Sequence, residues 1–390
     1  MKGILNGVRV VDLTRYISGP FCGVLLADMG AEVIKVEKPG EGEISRTVGP
    51  WKNDVSLFFV TCNRNKKSVT ADIRKPEGMA ILKKLIAESD VLLENFRAGM
   101  MEKIGLGYEE VKKINPKIIM VSVSGFGQGG PWRDRPAFDG IISAVSGVTR
   151  MEDGHVERSK GAIHDHMAGM YAMMGTMLAL YDRERTGKGQ YVDVAMIASS
   201  TMVRSDAIAN AYLNGDQAAL EGDDSAPYGY LKATDGWINF HAGPNQMYHK
   251  LLTLIDDPFL HEERFYDDMM LRVEHSKELF ARVQAWAEDK SCDELEQIFL
   301  ETGIPCGIVA TPGRLLRTEH LWERGYLIKQ PVYGLEGEVP FMGFPIKLSE
   351  HQELEYKAPP AVGENTEEIY TSVLGMSRDE IEKLKEAGIV

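Results

Sequence analysis

At 390 residues, with 44% hydrophobic and 26% charged side chains, the chain has the composition of a soluble globular protein. It is too long for one ordinary core, so two domains are expected. A formal net charge of −14 argues against nucleic acid or an anionic membrane as a general partner. No apolar run is long enough to cross a membrane, and Met1-Lys2-Gly3-Ile4-Leu5 lacks the apolar stretch of a secretion signal, so a cytoplasmic location is expected. Cys22, Cys62, Cys292 and Cys306 are scattered with no Cys-x-x-Cys pair. That spacing argues against a disulfide framework or a zinc site, and no metal is expected.

The N-terminal half reads as α/β. Val8-Arg9-Val10-Val11-Asp12-Leu13 is a short apolar strand, and residues 15–18 form a turn. Gly19-Pro20 then opens a helix that closes at Gly30, before the strand Glu32-Val33-Ile34-Lys35-Val36-Glu37. Strand, helix, strand at this spacing implies a right-handed crossover in a parallel sheet. The pattern recurs as a helix opened by Pro76-Glu77-Gly78, a strand Val91-Leu92-Leu93, and a buried strand Ile118-Ile119-Met120-Val121-Ser122-Val123. A helix near Ala207 gives way to the acidic stretch Leu220-Glu221-Gly222-Asp223-Asp224-Ser225. Beyond it, residues 228–238 form a hairpin turning at Asp235-Gly236, followed by helices over 276–289 and 292–302. Pro305 and Pro312 end this smaller unit. The last helix starts at Ser377, with Glu380 completing a capping box. The expected division is therefore 1–205, a linker over 206–225, a small domain over 226–315, and a segment over 316–390.

Chemistry centres on Gly161-Ala162-Ile163-His164-Asp165-His166-Met167-Ala168-Gly169. A carboxylate at a helix start faces the positive end of the dipole and stays ionised, and an ionised carboxylate with room before it can act as a covalent nucleophile. Plain N-capping is the competing reading of Asp165. His164 and His166 flank it, but alternate residues do not face the same way and no third ligand stands at metal spacing. Along the same helix, the Met-rich pattern reads as core filler. Gly125-Phe126-Gly127-Gln128-Gly129-Gly130 matches the dinucleotide fingerprint formally, yet Pro131 and Pro136 follow where a helix should begin, so it reads as a loop. Arg64, Lys66 and Lys67 form a basic knot, and Lys38, Arg74, Arg97 and Lys103 sit near element ends. On an acidic chain these cations together suggest a phosphate-rich ligand.

Taken in order, several segments resemble family III CoA-transferases over nearly the whole chain. They are Leu5-Asn6-Gly7-Val8-Arg9-Val10-Val11-Asp12-Leu13-Thr14, Ser18-Gly19-Pro20, Leu26-Ala27-Asp28-Met29-Gly30-Ala31-Glu32-Val33-Ile34-Lys35-Val36-Glu37, and the stretch over 63–68. Glu94-Asn95-Phe96, Ser124-Gly125-Phe126-Gly127-Gln128, Asp165-x-x-Ala168-Gly169 and Thr186-Gly187-Lys188-Gly189-Gln190 continue the series, which closes with Gly303-Ile304-Pro305 and Gly363-Glu364-Asn365-Thr366. The resemblance implies a Rossmann-like large domain built from N- and C-terminal segments, a smaller α+β domain, and an interlocked homodimer. It implies an acyl-CoA and a carboxylic acid as substrates, with no permanently bound cofactor. In such enzymes the Asp matching Asp165 forms an acyl-aspartyl anhydride and then an aspartyl-CoA thioester. The CoA contacts it implies are Ile17, Ser18, Lys38, Ala71, Arg74, Asn95, Phe96, Arg97, Lys103 and Arg135.

The chain also departs from the pattern. Some relatives carry His at the position of Arg15, Tyr at that of Phe138, and a longer glycine-rich loop near Gly243-Pro244-Asn245-Gln246. A formyl/oxalate specificity is therefore not expected. The nearest rival is an α-methylacyl-CoA racemase, which moves a proton and pairs its Asp with a His-Asp dipeptide. Here that dipeptide is Phe138-Asp139, and Asp139 is expected to point elsewhere. A non-catalytic acyl-CoA-binding protein and an NAD oxidoreductase are the remaining alternatives.

Overall fold

The computed structural model describes residues 3–149, 151–152, 155–156, 161–216, 225–351 and 354–390. They divide into two compact units, Met1–Ser205 with His320–Val390, and Asp206–Glu319. Much of the segment expected as a linker lies in a helix, Ser205–Asn214, while residues 220–224 of the acidic stretch lie outside the described residues. Among the described residues, no helix is long and apolar enough to cross a membrane.

The first unit is a mixed α/β fold around a six-stranded parallel sheet. Its strands are β1 (Arg9–Asp12), β2 (Glu32–Glu37), β3 (Lys67–Thr70), β4 (Val91–Glu94), β5 (Ile119–Ser124) and β6 (Tyr191–Ala195). They lie in the order β6-β5-β4-β1-β2-β3, with every pairing parallel. This is the doubly wound order, in which the chain leaves β1 one way and returns to β4 on the other side. Near-continuous apolar runs such as Val-Leu-Leu in β4 suit a sheet covered on both faces.

Successive strand residues point to opposite faces, and two cores result. The α-helices of this unit as far as residue 186 are α1 (Ser18–Asp28), α2 (Leu57–Asn63), α3 (Pro76–Ala87), α4 (Met100–Lys103), α5 (Tyr108–Ile114), α6 (Asp139–Val145) and α7 (Ile163–Thr186). Val10, Val33, Val91 and Ile119 pack with Leu26 of α1 and with Ala168 and Ala172 of α7. Val11, Ile34, Leu92 and Met120 face the other way, onto Leu82 and Leu85 of α3 (Pro76–Ala87) and onto Ile369, Tyr370 and Ile381 near the C-terminus. The C-terminal segment is tied to β3, where Tyr370 Oη donates to the Thr70 carbonyl at 2.7 Å and Asn365 N donates to the Ser68 carbonyl at 2.8 Å. Ser377 and Glu380 form the capping box of the last helix, Arg378–Glu386.

On α7 small residues allow close approach. A Cβ at Gly169 would lie 2.7 Å from the Ser18 carbonyl oxygen, so α7 runs against the first turn of α1. The methionines of this helix are only partly core filler, since Met170 and Met174 are each 49% exposed and form an apolar stripe with exposed Leu178 and Tyr181. A second difference concerns the basic knot, which is structural. Lys67 lies in β3 and pairs with Glu32 at 2.9 Å and Glu368 at 2.7 Å, while Arg64 Nε sits 3.0 Å from Asp28 Oδ1. Lys66 is wholly buried against Asp12 at 2.8 Å, and also donates to Asn63 Oδ1 at 2.9 Å and to the Pro20 carbonyl at 3.0 Å.

The second unit carries an antiparallel sheet of β7 (Tyr228–Lys232), β8 (Trp237–His241) and β9 (Cys306–Ile308). Helices Asn245–Leu252, Ser276–Ala287 and Cys292–Thr302 bury Tyr248, Val283 and Phe299 around it. Pro312 does not end the unit. It stands at the first position of a further helix, Pro312–Arg317, capped by Thr311, where its missing N–H costs nothing.

Truncating Lys66 would strand the Asp12 carboxylate in the sheet interior. Removing one partner of a buried ion pair costs about 3–5 kcal/mol. Lys66→Ala is therefore expected to lose stability of that order in urea unfolding, and an Asp12→Leu/Lys66→Met double variant should recover much of it. A Lys66→Ala protein as stable as the wild type would show that the pair is dispensable.

Candidate active site

In an open parallel sheet the carboxyl ends of strands diverge where the order reverses, and a crevice opens there. Here the reversal falls between β1 and β4. The loops leaving them, residues 13–18 and 95–98, border a cavity of about 1340 Å³. Of the residues implicated by sequence, Ile17, Ser18, Asn95, Phe96, Arg97, Arg135 and Asp165 line it. Lys38, Ala71 and Arg74 instead line an adjoining cavity of about 500 Å³, and Phe96 and Arg15 border both. Lys103, at the end of a short helix Met100–Lys103, lines neither. Arg15, Arg133, Phe138 and Asp139 also line the larger cavity, although the sequence reading assigned them no ligand.

The first of these loops is held rigidly. Asp12 Oδ1 accepts from Thr14 N at 2.8 Å, and the buried Lys35 ammonium donates to the Thr14 carbonyl at 2.8 Å. Asn95 bridges from the other loop to the Arg15 backbone and to Ser18. The Arg15 guanidinium lies 5.0 Å from the Phe96 ring centroid. Glu94, buried at the end of β4, accepts from Phe96 N at 2.8 Å. Burial, with Glu102 and Asp193 adding like charge, pushes the Glu94 carboxyl up to about 7.

Asp165 is the third residue of α7, not its cap. The N-cap position is Ala162, which offers no side-chain hydrogen bond. The cap comes instead from Asp139, at the start of α6 (Asp139–Val145), whose Oδ1 accepts from His164 N at 2.8 Å and Asp165 N at 3.1 Å. Both the capping reading of Asp165 and the expectation that Asp139 points away are thereby overturned. Because another residue satisfies the helix N–H groups, the Asp165 side chain is left to the cavity.

Its ionisation also differs from a simple dipole argument. Burial first, and then the nearby Asp139 charge, push the Asp165 carboxyl up to about 6, against the Ser18 hydroxyl and backbone N–H, which favour the ionised form. The helix dipole does not outweigh desolvation here. The flanking histidines turn away, His164 Nδ1 to Ser200 Oγ at 2.9 Å and His166 Nδ1 to the Ala162 carbonyl at 2.6 Å. Among the described residues, no group of three or more His, Cys, Asp or Glu side chains could hold a metal. The glycine-rich segment after β5 runs as a loop to the start of α6, so no helix N-terminus meets a pyrophosphate there.

A carboxyl that binds its proton more tightly in the folded state loses stability as pH rises from its unfolded to its folded pKa. For Asp165 that window runs from 3.8 to about 6, and the shift corresponds to about 3 kcal/mol. Asp165→Asn removes the charge, so its stability relative to the wild type should rise by up to that amount between pH 4 and pH 8. Urea midpoints at both pH values read the difference, and parallel pH dependences would refute it.

Residues 5–366 match the family described as CoA-transferase family III. The chain is 34% identical over 99% of its length to the succinyl-CoA–D-citramalate CoA-transferase of Chloroflexus aurantiacus, covering 98% of that protein. It is 35% identical over 99% of its length to the succinyl-CoA:glutarate CoA-transferase of Mus musculus, covering 90% of that protein. A CAIB/BAIF family protein from Brucella suis has a crystal structure that superposes with a TM-score of 0.85 at 32% identity, over 96% of this chain and 100% of that one. With its parallel sheet, its crevice at the β1/β4 reversal and a match spanning nearly all its residues, the chain belongs to CoA-transferase family III.

Proposed function

We propose that the protein moves CoA from an acyl-CoA to a carboxylic acid, with Asp165 as the covalent nucleophile. The observation that carries this reading is a carboxylate on the cavity wall whose own helix end is capped by Asp139. A carboxylate oxygen of Asp165 attacks the thioester carbonyl and expels CoA thiolate, leaving a mixed anhydride. The thiolate then attacks the aspartyl carbonyl, releasing the donor acid and leaving an aspartyl-CoA thioester. An acceptor carboxylate attacks this thioester, and the thiolate it frees takes the acceptor's acyl group, regenerating Asp165. Each step exchanges one acyl oxygen or sulfur bond for another, so a difficult exchange is divided into easier ones without a metal.

The second cavity suits the nucleotide end of CoA. Lys38 and Arg74 stand on it and pair with Glu41 and Asp72 through short local contacts. Phe96, between the cavities, suits the pantetheine arm. Lys103 sits off both cavities, and we assign it the weakest contact of the set. The named relatives act with succinyl-CoA on citramalate and glutarate, and Arg15 and Arg133 place cations on the cavity wall. We therefore propose a short dicarboxylate as acceptor. The exposed stripe of Met170, Met174, Leu178 and Tyr181 supports a homodimer in which a second copy covers it, since patches of this kind mark interfaces. The free cysteines suit a cytoplasmic setting.

Incubation with succinyl-CoA and hydroxylamine should trap a hydroxamate on Asp165, located by peptide mass spectrometry. Asp165→Ala should lose transfer by at least about a thousandfold while still binding CoA. Because the nucleophile must be ionised, kcat/KM should fall below pH of about 6. Trapping elsewhere, or a transferring Ala variant, defeats the assignment. For the nucleotide, Lys38→Ala and Arg74→Ala should raise KM for acyl-CoA by about tenfold, with kcat little changed, and Lys103→Ala should do less. Equal KM values in all variants would mark these cations as solvated surface.

A further inference from the structure

We infer that Arg15 selects dicarboxylates, by pairing with the carboxylate at the far end of a chain whose other end reacts at Asp165. The inference rests on the reading of a short dicarboxylate as substrate and names the residue that recognises it.

Arg15 and Tyr16 sit in the turn between β1 and α1, where the backbone is held peptide by peptide. Thr14 N donates to Asp12 Oδ1 at 2.8 Å, and Lys35 Nζ donates to the Thr14 carbonyl at 2.8 Å. Arg15 N donates to Asn95 Oδ1 and Asn95 Nδ2 donates to the Arg15 carbonyl, both at 2.8 Å. Tyr16 N donates to Glu43 Oε1 at 2.9 Å, and the buried Glu43 is tied in turn, its N–H lying 2.8 Å from Glu37 Oε2. What this clamp maintains is a backbone that sterics disfavour. Tyr16 has a φ of 63°, in the left-handed region where a residue with a Cβ is crowded. Such conformations persist where their surroundings over-determine them, and they cluster at ligand sites. The consequence here is one of direction. In an extended strand alternate residues face opposite ways, whereas Arg15, Tyr16, Ile17 and Ser18 all line the larger cavity.

The Tyr16 ring meets Phe138 edge-on, with centroids 5.8 Å apart and planes at 86°. Phe138 is 64% exposed, and the residue after it is Asp139, whose Oδ1 accepts from Asp165 N at 3.1 Å. A continuous line therefore runs along the cavity wall from the helix start that carries Asp165, through Asp139, Phe138 and Tyr16, to Arg15. Aromatic rings suit the methylenes of a short chain, and a cation at the end of them suits a terminal carboxylate.

The Arg15 guanidinium lies 5.0 Å from the Phe96 ring centroid, with no carboxylate paired to it among the described residues. The other cations differ. In the adjoining cavity Lys38 and Arg74 pair with Glu41 and Asp72. Arg133 Nε stands 3.8 Å from Asp134 Oδ1, and the Arg135 guanidinium lies 4.1 Å from the Trp132 centroid. Both belong to a loop closed by short-range bonds, Arg133 N to the Gly130 carbonyl at 3.3 Å and Arg135 N to the Trp132 carbonyl at 3.0 Å. Arg15 instead joins an N–H fork open to bidentate pairing with a backbone fixed by side chains from β1, β2 and the loop after β4. A planar fork already in place loses less freedom for each hydrogen bond it forms.

The test uses the full chain with Arg15→Gln, Arg15→Lys, Arg97→Gln, Arg133→Gln and Arg135→Gln. Arg15 is exposed and the clamp grips its backbone, so its substitution leaves the turn in place. With succinyl-CoA as donor, kcat/KM is measured for isotope-labelled succinate and glutarate, and for butyrate and valerate, which match them in length but lack the second carboxylate. The ratio within each pair cancels any effect on the shared donor. The wild type should prefer the dicarboxylates. In Arg15→Gln that preference should fall by about tenfold to a hundredfold, through a higher KM for the dicarboxylates, as loss of a charged hydrogen-bonded contact implies. Arg15→Lys should keep part of it, having the charge without the fork. Affinity for free CoA, read by calorimetry without turnover, should be the same in Arg15→Gln as in the wild type. A preference unmoved in Arg15→Gln overturns the inference, even if one of the other arginine variants loses it. Weaker CoA binding with the preference intact also overturns it, as the mark of a CoA contact alone. A wild type that takes butyrate as readily as succinate removes the dicarboxylate reading and this inference together, whereas a preference that survives Arg15→Gln removes this inference alone.

Discussion

The ion pair between Asp12 and Lys66 is the contact on which the crevice depends. Two charges 2.8 Å apart, both wholly buried, sit at the carboxyl end of the first strand. Burial alone would raise the Asp12 pKa, yet Lys35 and Lys66 outweigh it and hold the carboxyl at about 2. The pair is worth its desolvation because its remaining capacity is used on the backbone. Asp12 fixes Thr14, Lys66 fixes the Pro20 carbonyl, and Lys35 fixes the Thr14 carbonyl. The turn between strand and helix is thereby clamped from three sides. A turn held this way can carry Ser18 to within reach of a helix from much later in the chain, and α7 accepts the approach because residue 169 is glycine.

Asp139 shows how one carboxylate can serve two opposed ends. Its oxygen satisfies N–H groups that a helix start leaves open, which stabilises α7 by about 1 kcal/mol as caps do. The same charge, next to Asp165 in a buried setting, raises the proton affinity of that group. A carboxylate poised near pH 6 is still mainly ionised at neutral pH, but it is more basic, and more nucleophilic, than an ordinary surface aspartate. Two acids at one helix end would be a defect in a surface helix. At the mouth of a cavity one of them caps the helix while raising the basicity of the other.

The sequence itself made several things plain. The apolar runs of Val, Ile and Leu in β1, β2, β4 and β5 demand a sheet covered on both faces, and their spacing by helices demands parallel crossovers. Ser377 and Glu380 announce their capping box locally, and Pro131 and Pro136 rule out a helix inside the glycine-rich segment. These features are set by short-range sterics and by hydrophobic periodicity, which act within a few residues.

What only the tertiary structure decided is which charges face each other. Arg64, Lys66 and Lys67 read as a basic cluster because their partners Asp28, Asp12, Glu32 and Glu368 are far away in sequence. Asp139 is 26 residues from the N–H it caps and Asn95 is 77 residues from Ser18, so no local pattern could pair them. Lys38 and Arg74 separate from Asp165 into a neighbouring cavity for the same reason. An element can be inferred from its own residues because it forms from its own residues. A charge in a crevice takes its meaning from desolvation and from neighbours brought there by the sheet order, and those quantities exist only once the chain has folded.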